Sequence, residues 1–338
     1  MNNTMEQVIS VMTTSLTTKE VNGEVVLSPM QVALSSLGLL CLGILSYVME
    51  LDVHHKLGIA AIRMVVQLSV LGGVLGPIFA YNYWWLVLSY CSVMVLVASL
   101  EAVQRPQSSY KGMWRNAILT MSATAGILIT YTSIVVLGLS PRWDAQYVIP
   151  MLGMLLGNAT SAVSVGLSTV LEALKSERNL IEQYIAFGAT RSEATHVVAK
   201  RSLTLAMTPL INNMSVMGIV TIPGMMTGQI LAGANPFMAA RYQMVIIFVL
   251  GASCGLSAYI TVLLACRKIV DEKHRFRMDR IHEKPKLTKT LSLYGERLTR
   301  FFLRLKAFLA SVCCCGCGIQ ARATSIAPGL NQPLINAQ

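Results

Sequence analysis

Seven stretches of the chain run for about 17 to 29 residues with almost no Lys, Arg, Asp or Glu. They are Leu27–Val48, Gly58–Ala80, Trp84–Leu100, Ala117–Leu139, Tyr147–Leu171, Leu203–Leu231 and Gln243–Cys266. A helix needs roughly 20 consecutive apolar residues to cross bilayer hydrocarbon. Only helices and closed barrels satisfy their backbone hydrogen bonds in lipid, and these runs are too long and continuous for barrel strands. The expected fold is therefore all-α: a polytopic, multi-pass integral membrane protein with about seven transmembrane helices. Charged residues make up 13% of the 338, about half the ~25% of soluble domains.

Lys and Arg asymmetry in short loops sets orientation. With the N-terminus outside, the inward loops hold Lys56, Arg105, Lys111, Arg115, Lys175, Arg178, Arg191, Lys200 and Arg201. The outward side holds only Lys19, Arg142 and Arg241. The expectation is N-terminus outside and C-terminus cytoplasmic, with Trp84, Trp85, Trp143 and Tyr147 in an outer aromatic belt and Trp114 in an inner one. Residues 1–26 form a polar extracytoplasmic segment with no signal-peptide pattern. Residues 27–266 form the transmembrane part, with a polar inward loop at 172–202. Residues 267–338 form a basic cytoplasmic tail.

Of the formal net charge of +11, the tail carries most, with fourteen Lys and Arg against five Asp and Glu from Arg267 onward. A basic segment beside a last span suits anionic cytoplasmic lipid, or simply sets orientation. No nucleic-acid motif accompanies it, so no nucleic-acid partner is expected. Within the tail, Leu298, Phe301, Phe302, Leu305, Phe308 and Leu309 recur at helical spacing among Arg297, Arg300, Arg304 and Lys306. This pattern fits an amphipathic helix on the inner leaflet. Cys313, Cys314, Cys315 and Cys317 follow at once, as candidates for S-palmitoylation. A soft-metal site and inert thiols are the rival readings. Cys41, Cys91, Cys254 and Cys266 lie in or beside apolar runs and read as packing residues.

Three features of the membrane part carry chemistry. Polar groups within the spans are the first. Arg63 and Gln67 sit four apart on one helix face, and Glu101 ends the next span at similar depth. An ion pair between Arg63 and Glu101 is the economical arrangement, because an unpaired charge in lipid is expensive. Asn158, Asn212 and Asn213 lie near mid-depth, as helix–helix glue or as lining of a hydrophilic path. The second feature is IPGMMTGQ, Ile222–Gln229. Pro223 removes a donor and Gly224 loosens the helix, freeing carbonyls near Ile219–Ile222. Met225, Met226, Thr227 and Gln229 add soft and polar groups. The segment reads equally as a gate in a substrate path or as a packing kink.

The third is the loop IEQYIAFGATRSEATHVVAKR, Ile181–Arg201. Glu182 precedes Gly188 by six residues, and Ala189 and Thr190 follow. The spacing fits a helix–Gly–helix corner, or an ordinary amphipathic cytoplasmic loop. No G-x-x-x-x-G-K-[ST] occurs, so the chain does not cradle ATP phosphates itself. No metal-ligand spacing and no nucleophile–base set occurs, so no catalytic activity, metal or cofactor is expected of the chain alone.

Five strings, in order, resemble the bacterial iron-export ABC permeases and their plant relatives linked to aluminium tolerance. They are AAIRMVVQLSVLGGVLGPIF (Ala60–Phe79), VASLEAVQR (Val97–Arg105), IPMLGMLLGN (Ile149–Asn158), IEQYIAFGAT (Ile181–Thr190) and IPGMMTGQILAGANP (Ile222–Pro236). The resemblance implies a permease that forms a homodimer and partners a separate ABC ATPase in a two-plus-two assembly. It implies that Glu182, Gly188, Ala189 and Thr190 form the loop that couples to that ATPase, which binds the ATP. It implies export of a metal species such as iron, aluminium tolerance, or transport of a nucleotide sugar. A hard-metal site wants several carboxylates, and the spans offer essentially Glu101. The alternative is a channel or secondary transporter that works without an ATPase. The extended basic tail and its Cys cluster depart from the small bacterial pattern.

Overall fold

The computed structural model describes residues 19–21, 24–26, 29–51, 53–272 and 274–283. The amphipathic pattern from Glu296 to Ser311 and the Cys313–Cys317 cluster lie outside the described residues. The elements are β1 (Lys19–Val21), β2 (Glu24–Val26), α1 (Pro29–Ser35), α2 (Leu37–Val48), α3 (His54–Tyr81) and α4 (Trp84–Gln104). There follow β3 (Ser108–Tyr110), α5 (Met113–Tyr131), α6 (Ala145–Ser176), α7 (Arg178–Ala186), α8 (Arg191–Val216), α9 (Gly224–Leu231), α10 (Pro236–Ile269) and β4 (Ile281–Glu283). The fold is the helical, multi-pass membrane type expected. Two short antiparallel ladders, β1–β2 and β3–β4, add to it.

Among the described residues, six helices are long and apolar enough to cross a membrane: Met30–Val48, Lys56–Tyr81, Trp84–Gln104, Met113–Val136, Ala145–Ser176 and Pro236–Ile269. The expected sixth run, Leu203–Leu231, is not one helix. Its first half belongs to α8, which begins with charged residues at Arg191. That helix ends at Val216, and Met217 turns extended with ψ 134°. Gly218 has φ +86°, a left-handed conformation open to glycine at little cost. The Val216 carbonyl accepts from Val220 at 3.0 Å and Thr221 at 3.3 Å, and Gly218 N–H donates to Thr221 O at 2.9 Å. Pro223 disfavours helix in Ile222 before it and is itself extended, with ψ 139°, at the start of α9. The break thus begins at Met217, six residues before the proline that hydropathy and composition single out.

The chain divides into two compact units that interleave along the sequence. Among the described residues, one comprises those up to 98, 121–158 and 222–253, the other 99–120, 159–221 and those from 254 to 283. In the first, α6 starts on caps from two directions. Asp144 Oδ1 accepts from Gln146 N–H at 3.2 Å, and Asn82 Oδ1 accepts from Ala145 N–H at 3.1 Å. Asn82 itself ends α3 in a left-handed turn, φ 41°. Ile78, Val87, Val148 and Ile149 pack together beneath these caps. Next to them, Met151 and Leu155 of α6 pack on Val249 of α10. Cys254 and Cys266 are buried and Cys91 half-buried, as packing residues would be; Cys41 instead is exposed on α2.

In the second unit, close helix packing depends on small side chains, which lets van der Waals contact replace the hydrophobic drive that lipid lacks. A Cβ added at Gly166 of α6 would lie 3.2 Å from Val262 Cγ2 and 3.5 Å from Ala206 Cβ. Val262 is fully buried and β-branched, so it has little freedom to move. Hydroxyls such as Ser164 on α6, Ser202 on α8 and Thr261 on α10 are buried too. Ser202 and Thr261 donate to carbonyls four residues back, at 2.8 and 2.6 Å.

Overpacking at such a contact costs roughly 1–3 kcal/mol. Gly166→Leu is expected to lower the unfolding temperature of the purified chain in detergent and to cut its folded yield, with Gly166→Ala intermediate. Gly72→Ala, where nothing lies within 4 Å of the new Cβ, is expected to leave both unchanged.

Candidate functional site

The polar stretch 172–202 is helical almost throughout, and its centre is a corner between α7 and α8. At 1.5 Å per residue, the 32 residues of α6 reach about 48 Å, well beyond the ~30 Å of bilayer hydrocarbon. Its last turn carries Lys175, a cation suited to a helix C-terminus. The chain then turns at Glu177 into α7, nine residues long. Glu177 Oε1 takes Arg201 Nη1 of α8 at 3.5 Å, and Arg178 Nε donates to Glu182 Oε1 at 2.8 Å. Ile181, 1% exposed, is the buried anchor of α7, and Ala194 and Val198 are buried on α8.

Both sides of the corner are closed by hydrogen bonds. Gly188 adopts φ +91°. Its N–H donates to Ile185 O and the N–H of Ala189 donates to Tyr184 O, each at 3.0 Å. This is the paired 5→2 and 6→1 closure of a left-handed glycine cap. One residue later Thr190 opens α8. Its hydroxyl accepts from Glu193 N–H at 3.4 Å, while Glu193 Oε2 accepts from Thr190 N–H at 2.8 Å. The two form a reciprocal capping box. Hydrogen bonds from the Thr190 backbone and side chain hold the Glu193 carboxyl below its usual range.

The surface of this corner is apolar where a solvated turn would be polar. Leu180 and Tyr184 on α7 and Phe187 at its C-cap follow one another at helical spacing, all exposed, and Phe187 is 89% exposed. An exposed apolar patch rimmed by charge marks an interaction surface. Of the coupling residues expected from sequence, Glu182, Gly188, Ala189 and Thr190 all lie in this corner. Phe187 and Glu193 were not singled out there. The T-x-x-E spacing of Thr190 and Glu193 is a capping-box signature that identifies Glu193; Phe187 has no such signal.

The other candidates fall in both units. Arg63 and Gln67 on α3, Asn158 on α6 and the α9 segment belong to the first unit; Glu101 on α4 and Asn212 and Asn213 on α8 belong to the second. Arg63, Gln67, Asn158, Asn212 and Asn213 are exposed and Glu101 is half-buried. Glu101 Oε1 lies 3.6 Å from Arg105 Nε one turn along α4. Asn158 Nδ2 donates to Met154 O at 3.0 Å within α6. On α9, Pro223 and Gly224 lead the helix; Met225, Met226 and Gln229 are half-buried, and Thr227 Oγ1 donates to Pro223 O at 3.2 Å.

Losing an N-cap hydroxyl costs about 1 kcal/mol of local helix stability. Thr190→Ala is therefore expected to speed amide exchange over residues 191–195. Because folding depresses the Glu193 pKa, the stabilisation is present above the unfolded carboxyl value and is lost as pH falls through the lower folded one. Exchange over 191–195, corrected for intrinsic rates, should rise on that acid limb in the native chain and show no such step in Glu193→Gln.

The model of the uncharacterised protein family UPF0014 matches residues 29–270. The chain is 33% identical over 222 residues to Protein ALUMINUM SENSITIVE 3 of Arabidopsis thaliana, covering 65% of this chain and 80% of that one. It is 34% identical over 221 residues to the UPF0014 membrane protein STAR2 of Oryza sativa subsp. japonica, covering 65% and 76%. It is 30% identical over 237 residues to the probable iron export permease protein FetB of Escherichia coli K12, covering 70% and 88%. No solved structure matches. The chain belongs to the UPF0014 family of membrane proteins.

Proposed function

We propose that this chain is the membrane permease subunit of an ABC-type exporter, driven by a separate ATPase subunit that binds and hydrolyses the ATP. The observation that carries this reading is the α7–α8 corner. It is rigidly capped on both sides, yet offers the exposed stripe Leu180, Tyr184 and Phe187 to a partner. A rigid corner transmits a push to the helices it joins, whereas a flexible loop would absorb it. The chain works as a homodimer, with the N-terminus outside and the corner in the cytoplasm. Its cargo is a metal species or a nucleotide sugar. The relative named as a probable iron export permease and the one named for aluminium sensitivity support a metal-linked role. Met225, Met226, Thr227 and Gln229 of α9 contribute to the substrate path.

The test is copurification from native membranes, followed by ATPase assay of the complex with candidate cargoes. An ABC ATPase is expected to come down with the chain; its absence would favour a channel or secondary transporter. Phe187→Ala, at a side chain in open space, should leave folded yield unchanged and cut ATPase binding at least tenfold. Glu182→Lys, which sets a cation against Arg178, should uncouple transport as well. Gly188→Leu forces a side chain into φ +91° and should fail similarly, with Gly188→Asn, better tolerated in that conformation, retaining part of the activity. Normal binding and transport by Phe187→Ala and Glu182→Lys together would reject the corner as the docking site.

A further inference from the structure

Beyond the last span the chain doubles back and fastens itself to other parts of the second unit. Asp271 N–H donates to Arg275 O at 3.0 Å and Arg277 N–H to Ile269 O at 2.9 Å. Arg280 Nη1 donates to Lys268 O at 2.7 Å, and its Nη2 lies 3.4 Å from Asp271 Oδ2. Strand β4 then pairs antiparallel with β3, in the register Ser108↔Glu283, Ser109↔His282 and Tyr110↔Ile281. Tyr110 is 3% exposed, and its hydroxyl accepts from Asn116 Nδ2 at 3.2 Å. At the end of the strand, Glu283 Oε1 accepts from Lys175 Nζ at 2.9 Å.

Four separate pieces of chain are thereby joined: the α4–α5 connection, the last turn of α6, the end of α10 and the segment 271–283. The family match ends at residue 270, so the strap 271–283 lies outside the matched region while the residues it fastens to lie within it. Lys175 stands two residues before Glu177, whose carboxylate reaches Arg201 on the far side of the corner. The Lys175–Glu283 pair links β4 by side chains to the helix that leads into the corner. With Glu283 largely in solvent, at 82% side-chain exposure, such a pair holds weakly by itself. The ladder, the Arg280 bonds and buried Tyr110 supply the rest. The arrangement is a strap whose end is held by its most exposed pair.

We propose that residues 271–283 are a brace on the α7–α8 corner, closed by the Lys175–Glu283 pair, whose release loosens the corner and lowers coupling. The coupling half rests on the reading of the corner as an ATPase dock; the bracing half does not.

The full-length chain in lipid nanodiscs tests both. Hydrogen–deuterium exchange reads the brace without an ATPase. Lys175→Glu and Glu283→Lys are each expected to raise exchange severalfold over residues 108–110 and 178–195, and the charge swap Lys175→Glu/Glu283→Lys to restore it. Ser109 and His282 are cross-strand partners, within disulfide reach. Ser109→Cys/His282→Cys should therefore form a disulfide on mild oxidation and return slow exchange to the Lys175→Glu chain, reversed by reductant. If the disulfide forms but exchange over 178–195 is the same oxidised and reduced, the brace is refuted. No disulfide at all would refute the strand pairing itself. With the copurified ATPase, Lys175→Glu should cut cargo-stimulated hydrolysis at least threefold and oxidation of the double-Cys form should recover it. Failure of the native chain to bind an ATPase would sink the docking reading alone, because the exchange experiment still decides the brace.

Discussion

A polypeptide in hydrocarbon has no water to satisfy its amides, so every interruption of a helix must be closed by the chain itself. That constraint accounts for where this protein bends. The α8–α9 break is closed by the Val216 carbonyl and the Gly218-to-Thr221 bond. The α5 end widens into a turn at Thr132–Val136, in which Leu137 N–H reaches back five residues to Thr132 O at 2.9 Å. The start of α6 borrows an acceptor from Asn82, 63 residues earlier.

One capping device is used twice. After α7 the sequence is Gly188-Ala189-Thr190, and after α9 it is Gly233-Ala234-Asn235. In the second, Gly233 has φ +88° and donates to Ile230 O, while Ala234 N–H donates to Gln229 O. Asn235 Oδ1 then accepts from Phe237 N–H at 2.9 Å, with Pro236 at the first position of α10, where its missing N–H costs nothing. Each corner ends one helix with a left-handed glycine and opens the next within two residues. Short, fully bonded corners keep adjoining helices at a defined angle.

How much of this was legible in the sequence depends on the range of the interaction. Charge-free runs gave five spans within a few residues, because length and apolarity are local. The run Leu203–Leu231 misled because a break costs nothing in hydropathy: Met217, Gly218 and Ile219 read as apolar as any helix. The signal lay in Gly218, whose conformation depends on the fold around it. The helix–Gly–helix corner was legible because glycine caps and capping boxes are local patterns. Its aromatic tip was not, since Phe187 looks like a core residue until the fold leaves it outside. Strand β4 was invisible for a different reason. Three residues, Ile281–Glu283, pair with a partner more than 170 positions earlier, and no local periodicity announces so short a ladder.

The placement of flexible and stiff parts follows from the same physics. Helix α6 carries the most covered span, with 61% of its apolar window buried, whereas none of that of α3 is. A covered helix is held by contacts along its length, so motion imposed at its end is passed on as a unit. The corner sits at that end, just beyond Lys175. A peripheral helix such as α3, which lipid can wet on most sides, would instead yield locally. The corner thus adjoins the end of the best-covered span among the described residues. At Gly166, Val262 and Ala206 the helices α6, α8 and α10 meet with no room for a further side chain.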